Sequence, residues 1–385
     1  MNVQPPPEFL ARRGTRLREV LVPLGVDRFL VTTLPNVAWL TGFDGSAAAA
    51  LVRPHDIVLV TDARYREAAV EVAAGAGGLI STVFVDDTYD ETIVRLIAGE
   101  GAPIGFEAGS VTVARLNWLT TTLARGGSPT RLTPTLTAVE ACRTVKDAWE
   151  IRMLREAAQR LSAVAIGVLA DFRPGLVERD VAQAIEAGLR RAEFSRPAFD
   201  TIVASGPRAA LPHGRASDRV IQPREVVVLD FGGVYGGYCV DLTRTIACGD
   251  PGAEARDWYE GVLAAQAAAI AAVRPGRPVT DVDHAARAAL DERGLGHLFT
   301  HGTGHGLGLE VHEAPRVGRP RIESGREPMP GTVPIPEHLD AGMTFTVEPG
   351  VYVPGRGGVR IEDDVLVTAS GVEVLTNVPR TLVID

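Results

Sequence analysis

Two aspartates, Asp230 and Asp241, stand inside "LDFGGVYGGYCVDL", text that otherwise reads as two apolar strands joined by a tight turn. With Tyr235 and Gly236 as a two-residue loop, the two acids become cross-strand partners, their Cβ atoms about 5 Å apart. Carboxylates that close on a partly buried sheet repel each other and resist desolvation. A shared proton or a bound cation relieves the conflict, and so does solvent if both lie on an exposed edge.

The rest of the chain supplies further ligand types. "THGTGHGLGLEVHEAP" carries His301, His305 and His312, three of the 8 histidines in the chain. It is not H-E-x-x-H, and its glycines discourage a helix. Nor do they match G-x-G-x-x-G, because Leu307 or Leu309 takes the last place. Glycines at 302, 304, 306 and 308 suggest extended backbone that another segment or a ligand approaches closely. "MTFTVEPGVYVPGRGGVRIEDDVLVT" then places Glu348 and Glu362 on two further strands, with "PGRGG" as the turn between them. Each residue alone reads as an ordinary strand or loop residue. Together they are four carboxylates and an imidazole. That donor set suits two divalent ions bridged by carboxylates, about 3.5–4 Å apart, and such a pair brings bound water to a pKa near 7. Hydrolysis is the chemistry this points to.

The elements that must position these groups follow a two-part plan. "DRFLVTT", "DIVLVTD" and "TVFVDD" read as strands and "ARYREAAVEVAAG" as a helix, an α/β alternation. The stretch "GGSPTRLTPTLT" breaks it, so residues 1–135 form one expected domain and residues 140–385 a second. The second opens on a long helix for which Thr144 is the expected cap, with apolar positions at Ile151, Leu154, Ala158, Leu161, Ala165 and Val168. "RPGLVERDVAQAIEAGLRRAEF" from Arg173 is echoed by "RPGRPVTDVDHAARAALDERGL" from Arg274. Each copy follows an Ala-rich helix and leads into strand-like text with histidine, which suggests two similar helix-helix-sheet halves around a cleft.

Bulk properties narrow the function classes. A formal charge of −9 argues against a phosphate-binding surface and hence against nucleic acid. No apolar run approaches the roughly 18 residues of a membrane span, and the first residues lack a signal-peptide pattern. Cys142, Cys239 and Cys248 are scattered, which fits reduced thiols in the cytoplasm. Lys146 is the single lysine, read here as a consequence of an Arg-rich composition.

At this point the residues resemble a family. The order Asp230, Asp241, His305, Glu348, Glu362 within "LDFGG…CVDLTRT", "HGTGHGLGLEVHE", "TVEPGVY" and "GVRIEDD" is similar to the pita-bread metallopeptidases, above all the Xaa-Pro peptidases (prolidases and aminopeptidases P). "NVAWLTGFDGS" and "TDARYREAA" resemble the creatinase-type N-terminal domain of that group. The resemblance implies an α+β pita-bread catalytic domain of duplicated halves, preceded by a smaller α/β domain, in a homodimer. It implies that Asp230 chelates one ion, that His305 and Glu348 bind the other, and that Asp241 and Glu362 bridge both. Glu348 would also accept the proton of the attacking water. His213 and His312 would contact the scissile carbonyl, while His301 and Arg360 would line the proline side or support the ligands. Mn is the expected metal, with Co, Zn and Fe admissible.

The stretch "RVGRPRIESGREPMPGTVPIPEHLDA", within residues 316–341, is longer than expected for a compact aminopeptidase P. Read as a surface loop at the cleft mouth, it favours an Xaa-Pro dipeptidase over an aminopeptidase P. A creatinase-like C–N hydrolase or an inactive pita-bread binding protein would lack part of the five-ligand set, which stands whole here. No G-x-S-x-G and no Gly-Lys pair point to a serine hydrolase or a phosphate loop.

Overall fold

A computed structural model of the chain describes residues 4–99, 103–320 and 329–384. It divides into two compact units, Met1–Arg143 with Glu323–Ile335, and Thr144–Ile322 with Pro336–Asp385.

The first unit is a six-stranded sheet of β1 (Arg28–Val31), β2 (Ala48–Val52), β3 (Ile57–Thr61), β4 (Ile80–Phe84), β5 (Ile104–Glu107) and β6 (Leu132–Thr135). Their order is β4-β3-β2-β1-β5-β6. Helices α1 (Pro7–Leu21), α2 (Leu34–Thr41), α3 (Arg66–Gly75), α4 (Tyr89–Ile97), α5 (Val113–Arg125) and α6 (Ala138–Arg143) accompany it. Every residue of β3 is buried, as its unbroken apolar run requires. Strand β6 lies inside the Gly- and Pro-rich stretch expected to be irregular. It pairs in parallel with β5, and Pro134 is tolerated because β6 is the edge. Part of the long insertion also belongs to this unit. Leu136 donates its N–H to Gly331 O (3.0 Å) and accepts from Val333 N–H (2.9 Å). Residues 329–335 thus form an irregular, partly exposed surface segment, as expected, pinned to Leu136 by these backbone bonds, while 321–328 lie outside the described residues.

The second unit pairs α7 (Ala148–Asp171) with α8 (Glu178–Arg191), and α9 (Ala253–Ala272) with α10 (Thr280–Glu292). The cap of α7 is Asp147 and not Thr144. Asp147 Oδ1 accepts from the N–H groups of Trp149 and Glu150, both at 2.9 Å. Glu150 returns the bond to Asp147 N–H, and this reciprocal box closes the first turn from Asp147. Val262, Ala265 and Ala269 of α9 meet Val282, Ala286 and Leu290 of α10 in one fully buried seam. Each large side chain so covered contributes roughly 1.5–3 kcal/mol.

The strands after α8 are β7 (Arg196–Pro197), β8 (Ile202–Ser205), β9 (Val226–Tyr235) and β10 (Tyr238–Cys248). After α10 come β11 (Gly304–Gly306), β12 (Glu313–Val317), β13 (Thr344–Val347), β14 (Gly350–Val353), β15 (Gly357–Arg360), β16 (Asp363–Thr368), β17 (Gly371–Val374) and β18 (Val383–Ile384). They build two five-stranded sheets, β18-β10-β9-β7 with β8 also on β9, and β12-β11-β13-β16-β17. A helix pair thus precedes each sheet, in keeping with the internal echo. This is the α+β duplicated architecture of a pita-bread domain.

The β9–β10 hairpin corrects one expectation. Its loop is Gly236-Gly237, not Tyr235-Gly236, because both loop positions take left-handed backbone (φ 55° and 87°) that glycine alone adopts without strain. Asp230 consequently faces Thr243, and Asp241 faces Gly232. A shift of two residues keeps both acids on one face of the ladder, as diagonal rather than direct neighbours.

Candidate active site

The seven side chains singled out by type and spacing, Asp230, Asp241, His301, His305, His312, Glu348 and Glu362, line one cavity of about 740 Å³ in the second unit, together with His213 and Arg360, which only the family resemblance had implied. Asp230 and Asp241 come from the β9–β10 hairpin, and His305 from the middle of β11. Glu348 follows the end of β13, and Glu362 sits in the step between β15 and β16. Backbone bonds fix the last two, since Glu348 N–H donates to Thr303 O (2.8 Å) and Glu362 N–H to Thr243 O (3.1 Å). The glycines of β11 do what their spacing suggested. A Cβ on Gly304 would strike the Thr346 carbonyl of β13, and one on Gly306 the Ala314 carbonyl, so only glycine lets the His305 backbone lie this close to its neighbours.

The ligand atoms converge. Asp241, His305 and Glu362 each offer one donor atom, all within 4.8 Å of one another. His305 Nε2 also lies 3.4 Å from Glu348 Oε1 and 3.9 Å from Asp241 Oδ2. Asp230 occupies the same cavity outside that cluster, with Oδ2 held by Arg360 Nη2 at 2.5 Å.

Electrostatics show what the cluster lacks. Burial, reinforced by Asp230, Asp364 and Glu348, pushes the Asp241 carboxyl well above its usual range. Burial and Asp241 do the same to Glu362. Glu348 is pushed up to about 7, chiefly by burial, with Arg360 opposing. Burial, aided by His312, lowers His305 to about 4, so it stands neutral with a lone pair to give. Asp230 Oδ1, Asp241 Oδ1 and Glu362 Oε1 are buried with no hydrogen-bond partner among the described residues. Orphaned acceptors of this kind are expensive unless a cation meets them. The donor set therefore fits divalent metal, carboxylate oxygens in the majority with one imidazole.

A surrounding shell, mostly unread in the sequence, orients these groups. Thr243 Oγ1 donates to Glu362 Oε2 (2.6 Å), and Thr346 Oγ1 to Glu348 Oε1 (3.2 Å). Asp364 Oδ2 accepts Asp241 N–H at 3.0 Å. Arg244 donates to Glu362 O (2.5 Å) and pairs with the buried Asp363 (2.7 Å), tying the hairpin to the Glu362 step. Arg360, fully buried, also donates to Tyr352 OH (2.8 Å), which bridges to His301 Nε2 (2.9 Å). Burial works against the Arg360 charge, but Tyr352, Asp230 and Glu348 outweigh it. His301 is lowered to about 4 by burial, and His312 is lowered by burial and by His213. Thr243 lies two residues after Asp241 and so shares its face, a signal the sequence offered. Arg316, which also lines the cavity, carried none.

Two known families match the sequence of this chain. Residues 152–369 match metallopeptidase family M24, and residues 13–145 match the creatinase/prolidase N-terminal domain. The chain belongs to metallopeptidase family M24. Within that family it stands in the Xaa-Pro peptidase group and is a peptidase. An Xaa-Pro dipeptidase from Bacillus anthracis is 35% identical with a TM-score of 0.86, covering 97% of this chain and 100% of that one. An X-Pro aminopeptidase from Thermotoga maritima is 31% identical with a TM-score of 0.82, covering 96% and 99%. An uncharacterised peptidase of Bacillus subtilis is 36% identical over 96% of this chain and 99% of its own. Among the described residues no helix is long and apolar enough to cross a membrane.

Proposed function

We propose that the chain is an Xaa-Pro dipeptidase working with two divalent ions, Mn by preference of its oxygen-rich donor set. The observation that supports this is the group of buried, unpartnered carboxylate oxygens on Asp230, Asp241 and Glu362 beside the neutral His305. Asp230 would hold one ion, His305 and Glu348 the other, and Asp241 and Glu362 both. Bound there, the ions supply a polarised scissile carbonyl and a water acidic enough to attack at neutral pH. Glu348 would take the proton of that water, a role open to it because its carboxylate lines the cavity 3.4 Å from His305 Nε2. His312 and His213 donate to the carbonyl oxygen as negative charge grows on it. His301, Tyr352 and Arg360 form one hydrogen-bonded wall that keeps Asp230 turned toward the cavity.

The preference for dipeptides rests on Arg316. Three guanidinium groups line the cavity. Arg360 is paired with Asp230 and Arg215 with Asp200, whereas Arg316 bonds only the Arg319 carbonyl (3.1 Å) among the described residues. A free cation at that wall suits the α-carboxylate that a dipeptide has next to its cleaved bond and a longer peptide has not. This argument does not draw on the insertion, of which residues 321–328 lie outside the described residues. Arg316→Met is expected to raise KM for an Xaa-Pro dipeptide about 10- to 100-fold, the worth of one charge-assisted contact. Rates on a longer Xaa-Pro peptide should change little. If the native chain loaded with Mn prefers the longer peptide, the dipeptidase reading fails and aminopeptidase P replaces it. The three free cysteines support a cytoplasmic setting, and the family resemblance supports a homodimer. Sedimentation of the loaded chain tests the latter.

A further inference from the structure

Lysine occurs once in this chain, at position 146, among 39 basic residues. A composition that has arginine at every other basic position marks 146 as a place where a guanidinium does not serve. Lys146 directly precedes the cap of α7, and its N–H donates to Gly342 O at 2.9 Å. Its side chain is 1% exposed, with Nζ 2.8 Å from Glu313 Oε1. The Thr144 carbonyl lies at 3.4 Å. An ammonium is compact and carries three donors, whereas a guanidinium is longer, planar and carries five in a fixed fork. At this depth an arginine would have to push its neighbours apart and bury further donors.

Glu313 follows His312 directly. Its second oxygen accepts Glu310 N–H (3.3 Å), and Gly308 N–H donates to Glu310 O (3.1 Å). The excursion between β11 and β12 therefore closes on the Glu313 carboxylate, while the Glu313 backbone pairs with Gly306. His312 stands on that excursion, its ring centroid 4.1 Å from that of His305.

We propose that Lys146 is a positioning residue for His312. Its ammonium holds Glu313, Glu313 holds the 308–310 turn, and the turn sets His312 against His305 at the cavity. The inference rests on the reading of His312 as a contact to the reacting carbonyl. Without the ammonium, Glu313 is a buried carboxylate lacking its cation, which is strongly unfavourable, so it protonates or swings out and frees the turn. A misplacement of about 1 Å at a reacting group can lower the rate on the order of 100-fold.

The test is a double-mutant cycle on the Mn-loaded full chain, reading kcat, KM and bound metal with an Xaa-Pro dipeptide. Lys146→Met, Lys146→Arg and Glu313→Gln should each lower kcat about 10- to 100-fold, with KM within about threefold and both ions retained. On a His312→Ala background, Lys146→Met should change kcat by less than about twofold, because the group it positions is gone. A full multiplicative loss on that background overturns the positioning role in favour of general support of the fold. A Lys146→Arg chain with native kcat overturns the argument from compactness. If His312→Ala itself keeps native kcat, the reading of His312 fails and the proposal falls with it. Should Lys146→Met not fold, Glu313→Gln keeps the shape of the site and the same cycle decides.

Discussion

Replacing Asp241 by Asn is expected to abolish peptidase activity and metal loading while the fold stays intact. Asn has the volume of Asp, and the Asp241 N–H that Asp364 accepts belongs to the backbone, so the hairpin keeps its anchor. What goes is one negative oxygen in the cluster of Asp241, His305 and Glu362. Metal at such a site supplies several kcal/mol of charge stabilisation, and at about 1.4 kcal/mol per tenfold its loss lowers kcat on the order of 10³- to 10⁴-fold. The metal-free variant should meanwhile melt higher than the metal-free native chain near neutral pH. The substitution removes a carboxylate that burial, Asp230, Asp364 and Glu348 all resist ionising. Metal analysis, turnover of an Xaa-Pro dipeptide and melting of the stripped proteins check the three parts. Native turnover with two bound ions would remove Asp241 from the site.

Much of this site was legible because its residue types are out of place locally. An aspartate in "VVVLDF" or a histidine between alternating glycines conflicts with the strand around it, and the conflict itself is the signal. The duplicated helix pairs were legible for a simpler reason, since amphipathic spacing at α8 and α10 depends only on neighbours in sequence. What escaped depends on competition or on distance. The hairpin register turned on Gly236-Gly237 winning the loop from Tyr235-Gly236, a contest decided by left-handed backbone rather than hydrophobicity. The α7 cap went to Asp147 because Glu150 completes its box. Arg316 reaches the site only through tertiary contacts, so nothing in its immediate sequence sets it apart. Asp364 and Tyr352 stand inside the quoted motifs, and only their partners, Asp241 N–H and Arg360, needed the fold. Lys146 was the opposite case, with its rarity plain in composition and its meaning visible only once Glu313 lay beside it.

Stripping the metal is expected to stop turnover and also to reverse how stability depends on pH. In the metal-free chain Glu348 titrates near 7 when folded, above the ordinary carboxylate value it regains on unfolding. Asp241, Glu362 and Asp364 are raised in the same direction, all chiefly by burial. A group whose folded pKa is raised binds more protons folded than unfolded between the two values. Its contribution is therefore whole below the unfolded pKa and is lost as pH climbs through the folded one. For Glu348 that window runs from about 4.5 to about 7, and the other three acids extend the decline in the same sense. The chelated protein should melt on the order of 5–10 °C lower at pH 8 than at pH 5. Bound ions act oppositely, because they bind the ionised carboxylates and the neutral imidazole, and so stabilise the folded chain more as pH rises. Melting curves at pH 5, 6, 7 and 8, with and without Mn, separate the two regimes. The metal-free slope should flatten in Asp241→Asn, which removes one of the raised acids, whereas surface carboxylates would leave it unchanged. A chelated chain that grows more stable from pH 5 to 8, or that still cleaves the dipeptide, would show that the buried acids are not waiting for a cation.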